Sequence, residues 1–213
     1  MAQQETISIE PLVDAVLQRV FPILTQGLSS QQALWALDAY RTTVLPFRLG
    51  FMAGEEEKAR QQQVEIEVDD IVTDLGELTP TEKWTAIRQQ FYLAKVWPLS
   101  DQAFSLARQW YHKKRPHDEL RREAQTVDTQ FTALLAELEQ QDPEALEDLR
   151  ETISETVLDC AYVINNLDIV SFRLKRIIDR DRESAGCPQC GTSNRPGSRF
   201  CSQCGTPLGG RSP

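Results

Sequence analysis

The chain has 213 residues, 40% of them apolar and 26% charged, with a net charge of −9. That is room for one ordinary domain plus a small appendage, and a balance that forms a packed core rather than a disordered chain. Nowhere do about eighteen apolar residues run together, so no membrane span is predicted. The start Met1-Ala2-Gln3-Gln4-Glu5-Thr6 has neither the basic opening nor the apolar run of an export signal, so a reducing, cytoplasmic setting is expected.

Apolar positions recur at helical spacing along most of the chain, and β-branched alternation is almost absent, so the fold class expected is mainly α. A first helix is expected from Ile9 to Gln26, with Leu12, Val16, Val20 and Leu24 on one face. Pro22 should bend it, and Gly27 should end it. Ser29 or Ser30 can cap a second helix carrying Leu34, Leu37, Tyr40 and Val44. Pro46 should interrupt it before the pattern resumes at Leu49, Phe51 and Met52. Residues 55–79 are acidic and only weakly periodic, which reads as a solvated helix end and linker. Asp69, Asp70, Asp74 and Glu77 lack the alternating ligand order and central glycine of an EF-hand loop, so a solvated acidic segment is expected there rather than a calcium site.

Thr79-Pro80-Thr81-Glu82 has the makings of a capping box with a proline at the first helical position. The helix it opens carries Trp84, Ile87, Phe91, Ala94 and Val96 and is expected to stop at Pro98. Ser100 should cap the next, which carries Phe104, Leu106, Ala107 and Trp110 and stops before Pro116. From about 117 to 183 a long antiparallel coiled-coil-like hairpin is predicted. Its first arm has Leu120, Ala124, Val127, Phe131, Leu134 and Leu138 at alternating steps of four and three. Its second begins at Asp142-Pro143 and continues the seam through Leu146, Leu149, Ile153, Val157, Cys160, Ile164, Leu167, Val170, Leu174 and Ile178. Nearly forty residues in one helix would reach about 60 Å. Asn165-Asn166 falls across that seam. Residues 1–183 are thus read as a helical domain, and 184–213 as a separate metal module and tail beyond Ser184-Ala185-Gly186.

Four of the five cysteines lie in that last segment, as Cys187-Pro188-Gln189-Cys190-Gly191 and Cys201-Ser202-Gln203-Cys204-Gly205. Two residues between cysteines allow a tight turn to aim both sulfurs at one ion, and the glycine after each pair can close the turn in the left-handed conformation. Two such knuckles supply four thiolates. With every position filled by protein the site has no room for water or substrate, so one structural Zn²⁺ is the expected cofactor. Iron, two disulfides or a thiol-redox pair are the competing readings of the same residues. So short a segment buries little core, so metal binding must supply its folding free energy, on the order of 10 kcal/mol. Phe200 is expected to cover the sulfurs, and Pro196-Gly197 to turn the chain between the knuckles. The repeated Cys-x-x-Cys-Gly, with Pro188 in the first knuckle and Phe200 before the second, resembles the short zinc-ribbon found at a terminus of many bacterial and archaeal proteins. The resemblance covers residues 185–208. It implies the four ligands and a fold of two small β-turns or a minimal β-ribbon around zinc. It implies no single function, because some members of that family touch nucleic acid and many serve protein contacts.

From Ser171 onward eight basic residues face three acidic ones, a balance of +5 that leaves −14 on residues 1–170. Four thiolates and one Zn²⁺ lower the tail to about +3, still attractive to a polyanion that the body would repel. Arg173, Lys175, Arg176, Arg180 and Arg182 could form a stripe along a phosphate backbone, or the solvated face of a helix. Arg108 to His117 mixes cations with aromatic rings, which complementing a helix C-terminus explains without a ligand. Cys160 is expected to be a buried small hydrophobe, neither His112 nor His117 belongs to a motif, and Trp35, Trp84, Trp97 and Trp110 are assigned to the core. No phosphate loop, nucleophile elbow or zinc-protease motif occurs, and no catalytic constellation emerges. The expected function is a helical scaffold or adaptor that binds a protein partner. A nucleic-acid-associated factor, and an enzyme braced by zinc, are the alternatives.

Overall fold

The computed structural model describes residues 8–183, 187, 189–192 and 199–207. Among them α-helix dominates, no strand forms, and no helix is long and apolar enough to cross a membrane. The chain divides into two compact units, residues 1–98 with 131–150, and residues 99–130 with 151–213.

In the first unit, α1 (Glu10–Thr25) packs its apolar face on α4 (Glu57–Leu75). Val16, Val20 and Leu24 are fully buried, as are Ile71 and Leu75. Gly27 follows α1 with φ +82°, and Lys83 reaches the end of the same helix. Its ammonium, only 3% exposed, donates to the carbonyls of Ile23 (2.8 Å) and Gln26 (3.2 Å). The helix-end carbonyls thereby gain partners, and the buried cation gains acceptors and a favourable helix dipole. Ser29 caps α2 (Ser30–Ala39) in a full capping box with Gln32.

The segment predicted to be an acidic linker is helix α4. Val64, Val68, Ile71 and Leu75 step by four, three and four along one face, and of the acidic residues between them Glu65, Asp69, Asp70 and Asp74 are exposed while Glu67 is buried. That stripe is narrow, and the charge around it hid the period. Arg48 closes one side of it by pairing with Glu67 at 2.6 Å. Pro46 does not interrupt the preceding helix. A π-helical turn (Tyr40–Val44) widens the backbone, with the Leu45 N–H bonding to the Tyr40 carbonyl. Pro46 then lies in the first turn of α3 (Leu45–Leu49), where its missing donor costs little.

Helix α5 (Pro80–Tyr111) opens with the predicted cap. The Thr79 N–H donates to Glu82 at 2.9 Å, and the Glu82 N–H to Thr79 Oγ1 at 3.4 Å. It does not stop at Pro98, which lies inside it, so two predicted helices are one. Ser100 is therefore not a cap, and its hydroxyl is fully buried in the second unit.

That second unit contains the latter part of α5, the first part of α6 (His117–Gln141), most of α8 (Arg150–Asn165) and α9 (Phe172–Glu183). Its core joins Leu106, Ala107, Leu120, Ala124, Val127, Cys160, Val163 and Leu174. Cys160 is buried as expected, and burial pushes its thiol up to about 12, which keeps it protonated and inert. The long second arm of the predicted hairpin is broken into three: α7 (Pro143–Asp148), α8 and α9. Asn166 takes φ 51° directly after α8, a left-handed turn that asparagine tolerates and that no helix can continue through. Past the break, α9 starts afresh with its own caps, and a continuous coiled-coil hairpin is not what forms.

Candidate metal centre

Each knuckle repeats the same local hydrogen bonds. The Gly191 N–H donates to the Cys187 carbonyl at 2.8 Å, and the Gly205 N–H to the Cys201 carbonyl at 3.0 Å. The Cys187 N–H reaches the Thr192 carbonyl at 2.9 Å, and the Cys201 N–H the Thr206 carbonyl at 2.8 Å. Both glycines are left-handed, at φ +71° and +70°. A side chain at either would strain the turn that brings two sulfurs together, which is why the glycine recurs. A single antiparallel bridge between Phe200 and Pro207 closes the second knuckle.

The four sulfurs all lie within 4.8 Å of one another, and the Cys187–Cys204 and Cys190–Cys201 pairs stand at 3.4 and 3.5 Å. A tetrahedral zinc with bonds of about 2.3 Å needs sulfurs about 3.8 Å apart, so the set fits one ion. A disulfide needs about 2.05 Å, and all four thiols are free, so the geometry favours one shared ion over two disulfides. The Gln189 and Gln203 N–H groups each point at the sulfur two residues back, at 3.4 Å. Burial disfavours a thiolate at Cys187, but the Cys190 and Gln189 N–H groups, with the Cys204 and Cys190 thiols, hold it below its ordinary value. Despite its bonds to Thr206, Cys204 is pushed up to about 11 by burial and by the Cys190 and Cys187 sulfurs beside it. The N–H donors at Cys187 favour the charged ligand form that a metal requires. Cys187 and Cys201 are buried, while Cys190 and Cys204 face outward.

Two features were missed. Thr192 and Thr206 place their hydroxyls 3.3 and 3.0 Å from the sulfurs of Cys190 and Cys204, shielding the two exposed ligands. The signal was present, because each knuckle reads Cys-x-Gln-Cys-Gly-Thr. Phe200 does not cover the sulfurs: its side chain is 62% exposed. Pro188, Pro196-Gly197, Ser184-Ala185-Gly186, Arg195 and Arg211 lie outside the described residues, as does the side chain of Arg182.

Several of the other sequence candidates are held by neighbouring side chains. Arg173 is held internally by Asp159 and Ser100, and Arg180 has an interaction of its own. In the Arg108–His117 cluster, Arg115 pairs with Glu119 and Glu123. Trp110 is buried and stacks on His117, with ring centroids 4.0 Å apart. Trp97 is exposed rather than in the core, and Trp35 and Trp84 are half-buried.

No curated protein and no solved structure matches the chain. Residues 187–208 match the family model of the zinc-ribbon domain, so the C-terminal segment carries a zinc-ribbon whose four cysteines are positioned for one structural zinc ion.

Proposed function

We propose that this chain is a non-enzymatic helical scaffold whose zinc-ribbon docks on a protein partner. The observation that carries this reading is Phe200, a large ring left 62% exposed on a module otherwise organised around its sulfurs. An aromatic side chain presented on a rigid knuckle loses little conformational entropy on binding, which makes it an effective anchor. The closed four-sulfur site supports the same reading, since it leaves no coordination position for substrate. Four free thiols in metal-binding array are best kept in a reducing, cytoplasmic compartment.

The test compares proteins retained by the intact chain with those retained by Phe200→Asp, with zinc content measured in both. The expected result is equal zinc and loss of specific partners in the variant. Identical partner sets would remove Phe200 from the docking surface.

A second reading, contact with nucleic acid, is favoured by the exposure of Lys175, Arg176 and Arg199. Arg173 is unavailable to it, being held inside the fold. It predicts binding that weakens steeply with salt and falls on Lys175→Glu with Arg176→Glu. Salt-insensitive binding, or none, would dismiss it.

A further inference from the structure

Within the first unit, Trp35 of α2 and Trp84 and Tyr92 of α5 line a surface cleft of about 530 Å³, together with Arg88, Asp142 and Glu144. The two indole rings meet nearly at right angles, 71° between planes and 5.1 Å between centroids. Phe91 also meets Trp35 edge-on, with ring centroids 4.9 Å apart. Both indoles remain partly open to solvent, so the cleft offers π surface on two differently oriented walls.

Its charges are unequal. Arg88 forks onto Asp142, with Nε donating to Oδ2 at 2.7 Å and a second bond to Oδ1. Arginine and aspartate thus cancel, and the guanidinium is spent on an internal pair. Glu144, whose side chain is 88% exposed, makes a longer, solvated ion pair with the same guanidinium at 3.9 Å. The lining therefore carries one surplus negative charge beside electron-rich ring faces. An anion meets repulsion from both, and a purely apolar ligand leaves the carboxylate unused. A cation that is itself apolar on its surface matches both features.

We propose that this cleft binds a quaternary or alkylated ammonium group, seated against Trp35 and Trp84 and facing Glu144. The proposal stands apart from the ribbon and from the docking role assigned to it.

The test is calorimetric titration of the full zinc-loaded chain with choline, and in parallel with 3,3-dimethylbutan-1-ol, which has the same shape without the charge. Ionic strength is matched with sodium chloride. A short peptide bearing trimethyl-lysine, against its unmodified form, distinguishes a side-chain source from a free head group. The expected result is saturable binding of choline or of the trimethyl-lysine peptide, with the uncharged partner weaker by on the order of tenfold. Glu144→Gln should weaken cation binding several-fold, and Trp84→Leu should abolish it. Because Trp84 also contributes to packing, Glu144→Gln, at a solvated position, keeps the test independent of folding. Absence of saturable binding by both cations, equal binding of the neutral alcohol, or an unchanged affinity in Glu144→Gln would overturn the proposal.

Discussion

Arg173, at the start of α9, donates from Nε to Asp159 Oδ2 at 2.7 Å, and the Asp159 carboxylate has no solvent exposure. The same guanidinium donates to the Ser100 hydroxyl at 3.0 Å and to the Ser100 carbonyl at 2.9 Å. The Ser171 hydroxyl donates to Asp159 as well, and the Thr156 hydroxyl donates to that of Ser100. From α8, Glu155 accepts the Phe172 and Arg173 backbone N–H groups at 2.8 and 2.9 Å, satisfying two orphan donors of α9. One arginine therefore ties α9 to α8 and to α5 inside the second unit. Asp159 is fully buried, with its guanidinium partner 23% exposed, a setting in which removing one partner is far worse than removing both.

Arg173→Met should accordingly destabilise the fold by about 3–5 kcal/mol, because Asp159 is left buried without its cation. Arg173→Met combined with Asp159→Asn should recover a large part of that loss. Urea melts of the wild type, both single variants and the double variant supply the cycle. Additive losses would show that the two residues act independently.

Asp142 works in the opposite setting, at the N-terminus of α7. Burial alone would raise its pKa, but the Arg88 guanidinium and the Ala145 N–H hold it below the ordinary carboxylate value. The folded state therefore binds this proton less readily than the unfolded state does. Stability from Asp142 should be fully present above about pH 3.9 and be lost as pH falls through the lowered folded-state pKa. Asp142→Asn should be less stable than wild type at neutral pH and lose less on acidification through that window. Chemical denaturation at a series of pH values checks this, and parallel curves for the two proteins would contradict it.

Gly27 follows α1 at φ +82°, and a methyl group built there would stand 2.8 Å from Pro80 Cγ. Backbone conformation and steric contact both oppose a side chain. Gly27→Ala should cost about 1–2 kcal/mol for the left-handed conformation, plus whatever displacement of Pro80 demands. Thermal unfolding measures it, and an unchanged midpoint would refute the assignment.

The metal ligands were legible because their signal is local. Two cysteines, two intervening residues and a left-handed glycine define a turn without reference to anything distant. The Thr79–Glu82 box and the Ser29 cap were legible for the same reason. What failed depended on contacts far along the chain. Residues 57–75 are helical because Val64, Val68, Ile71 and Leu75 find α1, and their acidic surroundings hide a stripe only one residue wide. Pro98 is tolerated inside α5 where sequence alone predicts a stop. The seam through Leu167 and Val170 kept heptad spacing across Asn165-Asn166, yet the backbone turns there and a fresh set of caps opens α9. The aromatic cleft was invisible because Trp35, Trp84 and Glu144 come from three separate segments.

Elemental analysis of the purified chain, paired with a free-thiol count, tests the central claim most directly. One equivalent of zinc per chain is predicted, released when the thiols are titrated with a mercurial. Cys190→Ser should lose it while helical circular dichroism is retained. A chain that holds no zinc with all four thiols reduced, or a Cys190→Ser variant that still binds one equivalent at full affinity, would contradict the four-cysteine site.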